Sequence, residues 1–150
     1  MKQLLVIPLL FITISLQAQS ITFSPTSVPL WGTALHTPMI SIEYNNIKII
    51  SMYATKKYYD PEGSVYSGLF AAVFYMPVRI DFHQLSVDAG VGCFDRRFPT
   101  KNGTYVNFNI TAELQLSDLI FLQYSHISNG FGIQNYLNPG IDNIGLGIKF

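Results

Sequence analysis

Apolar and polar residues alternate along several stretches of this chain with a period of two. Over 104–116, every even position from Val106 to Leu116 is apolar, and the odd positions carry polar side chains or tyrosine. The stretches 85–93 and 144–150 repeat the pattern, with glycine at some of the non-apolar positions. Successive side chains of a β-strand point to opposite faces, whereas a helix would scatter these residues around its axis. The pattern therefore predicts β-strands with two distinct faces.

Counting such stretches predicts an all-β chain of eight strands, near 21–30, 37–44, 47–57, 64–80, 84–95, 104–116, 119–129 and 141–150. Pro25 and Pro29 interrupt the first strand, and proline is tolerated mainly at strand edges and bulges. The connections alternate between short turns and longer segments that are rich in Gly, Pro and Asn, the longer ones being 58–63, 96–103 and 130–140. Short turns on one side and long loops on the other are typical of transmembrane barrels. We therefore expect an eight-stranded antiparallel transmembrane β-barrel of the outer membrane.

Composition narrows the range of functions. Hydrophobic residues make up 49% of the 150 residues and charged residues only 12%, about half the charged share of a typical soluble domain. The formal net charge is zero, so no basic surface predicts binding to nucleic acid. The single cysteine, Cys93, has no disulfide partner within the chain, and the three histidines show no metal-ligand spacing. We expect neither a metal nor another cofactor.

The N-terminal segment predicts export. Lys2 provides a positive charge ahead of the hydrophobic stretch 4–16, which is too short to cross the roughly 30 Å hydrocarbon core of a bilayer as a helix. The segment 16–18 offers a cleavage site of the signal-peptidase type. We expect residues 1–18 to be a signal peptide and residues 19–150 to form the barrel domain. An uncleaved membrane anchor is the alternative.

Alternation alone does not decide which face of a barrel meets water, since a lipocalin-like soluble barrel also alternates, with its apolar face inward. The scarcity of charge favours an apolar outer face. A two-residue turn at 45–46 would place Glu43 opposite Lys48 on an inner polar face. The aromatic Phe150, which follows alternating apolar residues, resembles the assembly signal of outer-membrane barrels. We therefore expect outer-membrane lipids around the barrel and the barrel-assembly machinery as a partner that reads Phe150.

Aromatic residues near the predicted strand ends are typical of the girdles that flank the lipid-facing band of such barrels. Cys93 has the parity of a small lipid-facing residue. His36 and His83 fall at strand ends near water, and we assign them no role. The aromatic residues expected in the girdles are Trp31, Tyr44, Tyr53, Tyr58, Tyr59, Tyr66, Phe94 and Tyr105.

Candidate chemistry is concentrated in the last two predicted strands. His126 and Ser128 are two positions apart, so in a strand they share one face about 6.5–7 Å apart, as a serine nucleophile and its base require. Asp142 begins the following strand, and a hairpin over 129–141 would return it beside them to orient the imidazole. These three residues are the candidate catalytic group.

The facing of this group depends on the turn that precedes it. Asp142 has the parity of the outward residues in 144–150. A strict two-residue turn at 117–118 would point His126 inward and expose Gln123 to lipid. We expect a three-residue turn or a bulge, which turns all three candidate residues outward.

The segment His126-x-Ser128-Asn129, followed by Gly132 after one extra residue, and the segment Asn138-x-Gly140-Ile141-Asp142 together resemble the C-terminal signature of the lipid A 3-O-deacylase (PagL) family. Outside 124–142 the likeness concerns size, signal peptide and barrel pattern. The resemblance implies an eight-stranded outer-membrane hydrolase. Such an enzyme removes the ester-linked 3-hydroxyacyl chain from position 3 of lipid A, with a Ser-His-acid triad and no metal.

The resemblance also implies roles for individual residues. Ser128 would be the nucleophile and His126 the general base. Asp142 stands where the family usually has the longer Glu. Asn129 and Gly130 fall near the turn that stabilises the oxyanion, and Asn138 matches a residue that supports the site. The implied substrate is the lipid A of lipopolysaccharide in the outer leaflet.

Three other functions stay open at this point. A small outer-membrane barrel can be structural or adhesive, with no enzymatic activity. A palmitoyl-transferring barrel enzyme would add acyl mass to lipid A, whereas a deacylase removes it. A secreted lipid-binding barrel would hold a fatty acid in its lumen.

Overall fold

A computed structural model describes residues 19–27, 37–54, 68–95, 105–128 and 140–150, which form a closed antiparallel barrel. Each strand pairs with its neighbours in sequence order, and the last strand closes onto the first. The prediction of an eight-stranded antiparallel barrel is confirmed. The strands are β1 (Ser20–Ser27), β2 (Met39–Tyr44), β3 (Ile47–Ala54), β4 (Gly68–Phe82), β5 (Leu85–Phe94), β6 (Val106–Gln115), β7 (Ile120–Ser128) and β8 (Ile141–Lys149).

Several sequence predictions lie outside the described residues. They are the signal peptide at 1–18, nearly all of the three longer connections and parts of some predicted strands. Within the described ranges the strand positions agree with the sequence pattern, and β4 continues past the predicted end to Phe82. The described residues include no helix that is long and apolar enough to cross a membrane.

Tight turns gather at one end of the barrel, which we call the turn end. Residues 45–46 connect β2 to β3, and residues 83–84 connect β4 to β5. The backbone amide of Phe150 donates a hydrogen bond of 3.0 Å to the carbonyl of Gln19 at the same end. The opposite end, where β1, β3, β5 and β7 finish, is called the loop end below.

The turn between β6 and β7 has three residues, as expected. The amide of Leu116 donates to the carbonyl of Ile120 at 2.9 Å, which leaves residues 117–119 as the turn. The register then pairs Leu114 with Leu122. As a result, the even-numbered residues of both strands point to the outside of the barrel.

The outer face of the barrel is apolar along all eight strands. Cys93 lies on this face, as predicted. Contiguous apolar surface of this extent is unusual on a soluble monomer. The exposed outward side chains include Phe23, Ile40, Tyr53, Leu69, Val73, Tyr75, Val91, Phe108, Ile110, Leu122, Leu146 and Ile148.

The interior is divided into two halves. Polar side chains predominate in the half near the turn end, although Phe121 is also buried there. The half near the loop end, called the apolar half below, holds the apolar cluster of the lumen together with the buried side chains of Asn107, Asn109 and Asn143. Phe94, expected in an outer girdle, lies in the apolar half instead, with its ring edge-on to Phe74 at 5.9 Å between centroids. That expectation was wrong because the even-numbered residues of β5 point inward. The apolar half contains Met39, Ile50, Met52, Ala54, Phe70, Ala72, Phe74, Met76, Phe94, Ile127 and Ile141.

Of the other aromatic residues expected in girdles, Tyr44, Tyr53 and Tyr105 are exposed near strand ends. Trp31, Tyr58, Tyr59 and Tyr66 lie outside the described residues.

The prolines of β1 and β4 coincide with irregular pairing. The register between β1 and β8 shifts between Phe23 and Thr26, around Pro25. The register between β4 and β5 shifts between Tyr75 and Val78, around Pro77. Proline has no amide hydrogen for the ladder, so these shifts are where a strand can accept it.

Lys48 is fully buried in the polar half of the lumen. It pairs in register with Glu43, as predicted, but its ammonium donates to Thr111 Oγ1 at 2.9 Å and to Gln123 Oε1 at 3.3 Å. Gln123 in turn donates to Glu113 Oε1 at 2.8 Å. A buried charge is tolerated only where hydrogen bonds satisfy it. This network therefore ties β3 across the lumen to β6 and β7.

Replacing Lys48 by Met should reduce the free energy of unfolding by about 2–3 kcal/mol, because the charged hydrogen bonds to Thr111 and Gln123 are lost. The measurement is urea unfolding of the protein in detergent micelles. Lys149→Met is the matched control, because Lys149 is partly exposed and its ammonium lies 3.7 Å from Glu113, the distance of a weak ion pair. This variant should reduce the free energy of unfolding by less than about 1 kcal/mol. Equal losses of unfolding free energy in the two variants would show that the buried network around Lys48 adds no stability beyond that of a partly exposed ion pair.

Candidate active site

His126 on β7 and Asp142 on β8 form a hydrogen-bonded pair. They stand directly opposite each other in the β7–β8 ladder, and imidazole Nδ1 lies 2.8 Å from carboxylate Oδ1. Directly opposed residues of antiparallel strands have Cβ atoms only about 4.5–5.5 Å apart. An aspartate side chain is therefore long enough to reach the ring here. The distance is that of a charge-assisted hydrogen bond.

Both side chains stand on the outer face of the barrel. The His126 side chain is 24% exposed but that of Asp142 only 4%, because the imidazole and the Tyr124 side chain cover the carboxylate. Ile127 and Ile141 point the other way and fill the lumen behind the pair. A substrate would therefore reach the imidazole from outside the barrel.

Ser128 ends β7 on the same face as His126 and is half-buried. Gly140 lies between the two side chains: a Cβ atom added to it would be 2.7 Å from His126 Cε1 and 3.0 Å from Ser128 Cβ. The two side chains thus surround one point that only glycine leaves free. Among the described residues, no hydrogen bond joins the Ser128 hydroxyl to the imidazole. Catalytic hydrogen bonds of this kind often tighten only when substrate is bound.

The backbone of Gly140 adds a second requirement for glycine. Its φ is +81°, in the left-handed region that other residues avoid. In the sequence, Gly140 stands out only as a member of the segment Asn138-x-Gly140-Ile141-Asp142. Its role at the site depends on its contact with β7, which no local pattern reveals.

Tyr124 is the side chain that sequence reasoning missed. Its hydroxyl donates to Asp142 Oδ1 at 2.5 Å, the same oxygen that faces His126 Nδ1. Tyr124 pairs in register with Ile144, so it reaches Asp142 along a diagonal between strands. Its parity, two positions before His126, was the one available signal.

Apolar side chains flank the pair on β6. Ile110 stands opposite His126, and Phe108 stands opposite Ser128. Both are 47% exposed on the outer face. The polar cluster is therefore set in an apolar surface that continues along the barrel wall.

The remaining candidate residues of the site, Asn129, Gly130 and Asn138, lie outside the described residues, as does His36. His83 lies in the exposed turn at 83–84, at the other end of the barrel. No group of three potential metal ligands occurs in the part of the chain that the structure describes.

A polar cavity of about 680 Å³ opens at the turn end, remote from His126. Arg79, Glu113 and Lys149 are among the residues that line it, and the last two lie 3.7 Å apart. Its described lining includes no histidine to act as a base. The outer-face cluster, in contrast, brings an imidazole, a carboxylate and a serine together.

Replacing Gly140 by Ala should displace the His126 ring, because the new methyl group would overlap Cε1 and the backbone would be strained by about 1–2 kcal/mol. We expect changed ¹⁵N chemical shifts of the His126 ring in micelle NMR spectra and a lower unfolding midpoint. An unchanged ring spectrum would show that Gly140 does not shape the site.

Comparisons of the chain with protein-family models, with curated proteins and with solved structures found no match.

Proposed function

We propose that this protein is an outer-membrane serine esterase that removes an ester-linked fatty acyl chain from lipid A. The observation that carries the proposal is the hydrogen-bonded His126–Asp142 pair on the apolar outer face, with Ser128 beside it. Polar and ionisable groups facing hydrocarbon are costly and are usually retained for function. A barrel with only a structural role has no need of this group.

The distribution of side chains supports a membrane location. Apolar residues cover the outside, while Lys48, Asp88 and Glu113 are buried in the lumen, the reverse of a soluble lipid-binding barrel. Outer-membrane barrels place short turns in the periplasm and long loops outside the cell. The loop end, where the site lies, would then be level with the outer leaflet, in which lipid A carries its acyl esters.

The resemblance described from the sequence makes the proposal narrower. It suggests the ester-linked 3-hydroxyacyl chain at position 3 of lipid A as the group removed. Asp142 in place of Glu is compatible with this, because direct register pairing brings its carboxylate to the imidazole.

In the proposed first step, Asp142 accepts a hydrogen bond from the Nδ1–H group of His126. Nε2 is then the ring nitrogen that can take a proton. Nε2 takes the hydroxyl proton of Ser128 as Oγ attacks the ester carbonyl carbon. The bond between that carbon and the sugar oxygen then breaks. His126 returns the proton to the sugar oxygen, so the sugar keeps a free hydroxyl and Ser128 carries the acyl group.

In the second step, water gives a proton to His126 and attacks the acyl-serine. The bond to Ser128 Oγ breaks, the proton returns to this oxygen, and a 3-hydroxy fatty acid is released. We assign the stabilisation of the oxyanion to donors near Asn129 and Gly130, with Asn138 supporting them. The apolar side chains of Phe108 and Ile110 offer a surface for acyl chains beside the reacting groups.

The membrane location is tested by placing a charge in the middle of the outer face. Val73→Arg on β4 should reduce the free energy of unfolding in lipid vesicles by about 2–4 kcal/mol, the cost of arginine near the bilayer midplane. Gln84→Arg, in the exposed turn at 83–84, is the control and should change it by less than about 0.5 kcal/mol. If Val73→Arg costs no more than this control, the outer face does not meet hydrocarbon.

The esterase function is tested with Ser128→Ala in bacteria whose lipid A carries the ester. Mass spectrometry should show lipid A without one 3-hydroxyacyl chain when the unaltered protein is expressed. Ser128→Ala should lower the rate by about 10⁴-fold or more, because no nucleophile remains. Heat-modifiable migration in gels checks that the variant still folds as a barrel.

The matched control is Ser51→Ala, which removes an outward serine from β3, where Ser51 pairs with Ile40. Its lipid A profile should equal that of the unaltered protein. Intact lipid A in every strain would favour a non-enzymatic barrel. A gain of acyl mass would instead favour an acyltransferase.

A further inference from the structure

The Asp142 carboxylate has two hydrogen-bond donors on one oxygen. His126 Nδ1 lies 2.8 Å and the Tyr124 hydroxyl 2.5 Å from Oδ1. A tyrosine hydroxyl that donates at this distance to a carboxylate forms one of the stronger hydrogen bonds in proteins. Tyr124 and His126 therefore hold the same atom from two sides.

The position of Asp142 explains why a second donor matters. The residue belongs to the outward row of β8, and an ionised carboxylate beside hydrocarbon lacks the solvation that water would supply. The side chain is 4% exposed, so protein groups must provide that solvation. The Tyr124 hydroxyl supplies part of it, and the next outward pair of the β7–β8 ladder beyond Tyr124 and Ile144 is the apolar pair Leu122 and Leu146.

The hydroxyl also limits how the carboxylate can turn. With one donor, a short aspartate side chain could rotate about its terminal bond and present either oxygen to the imidazole. With Tyr124 bound to Oδ1, the oxygen that faces Nδ1 is fixed. A carboxylate only accepts hydrogen bonds, so Nδ1 must carry the hydrogen and Nε2 is the free nitrogen.

We propose that Tyr124 is a positioning residue of this site, which acts by fixing the orientation of the Asp142 carboxylate towards His126. The inference rests on the proposed esterase function for its effect on rate, but its effect on the imidazole is independent of any substrate. The Tyr124 hydroxyl is engaged by Asp142, so it is not a donor for the oxyanion.

The first test compares Tyr124→Phe, which removes only the hydroxyl, with Tyr75→Phe on the outer face of β4. Tyr124→Phe should lower kcat for lipid A deacylation by about 10- to 100-fold, as expected for loss of a hydrogen bond to a charged group. KM should stay within about twofold, because an interaction felt mainly in the transition state affects kcat. Tyr75→Phe should change neither kcat nor KM. If Tyr124→Phe lowers kcat no more than Tyr75→Phe does, the proposal is overturned.

A double-mutant cycle separates positioning from packing. If Tyr124 acts through Asp142, Tyr124→Phe should have little further effect on the rate in an Asp142→Asn background. If the rate reductions of the two single variants multiply in the double variant, Tyr124 does not act through Asp142. The positioning role would then be overturned, and the esterase function would stay intact.

The imidazole itself provides a readout that needs no activity. In micelle NMR spectra the Nδ1 hydrogen of His126 should exchange slowly with water, and Tyr124→Phe should speed this exchange by about tenfold or more. Unchanged exchange would overturn the proposal. If the unaltered protein proves inactive but the exchange responds as expected, the esterase function fails while Tyr124 keeps its positioning role.

Discussion

The hydrogen bond from the Leu116 amide to the Ile120 carbonyl, 2.9 Å long, decides the facing of every side chain in β7. In a closed sheet, adding or removing one turn residue exchanges the inner and outer faces of the strand that follows. Here the three-residue turn places Phe121 inside and His126 outside. The same parity brings His126 opposite Asp142 across the ladder. The candidate site therefore exists on the outer face because of the length of one turn at the far end of the barrel.

Charge is otherwise kept inside the barrel. Lys48 and Glu113 are buried in the lumen, where Gln123 connects them through hydrogen bonds and Thr111 accepts a further one from Lys48. Among the described outward-facing side chains of the strands, Asp142 is the one carboxylate. Its carboxylate is shielded by the imidazole and the phenol that bind it. Because protein groups satisfy the carboxylate without water, the site is compatible with surrounding lipid. The imidazole is then the polar group that a substrate would meet first.

Alternation was sufficient to predict the fold, because strands such as β5 and β6 have one apolar and one polar face and the number of strands can be counted. It also predicted that Glu43 pairs with Lys48, a consequence of the two-residue turn. Phe94 was misplaced because nearness to a strand end does not determine facing. Tyr124 was missed because its diagonal contact with Asp142 depends on register between strands. The assignments of residues 129–130 to the oxyanion and of residue 138 to the support of the site stay predictions from the resemblance.

Covalent labelling with a long-chain alkyl fluorophosphonate tests most directly whether Ser128 is an activated nucleophile facing lipid. Peptide mass spectrometry of the labelled protein should find the adduct on Ser128, and His126→Gln should abolish it. Ser125, which points into the lumen and accepts a hydrogen bond from Asn109, should stay unlabelled. Absence of an adduct on Ser128, or labelling that survives His126→Gln, would contradict the catalytic role of the outer-face pair.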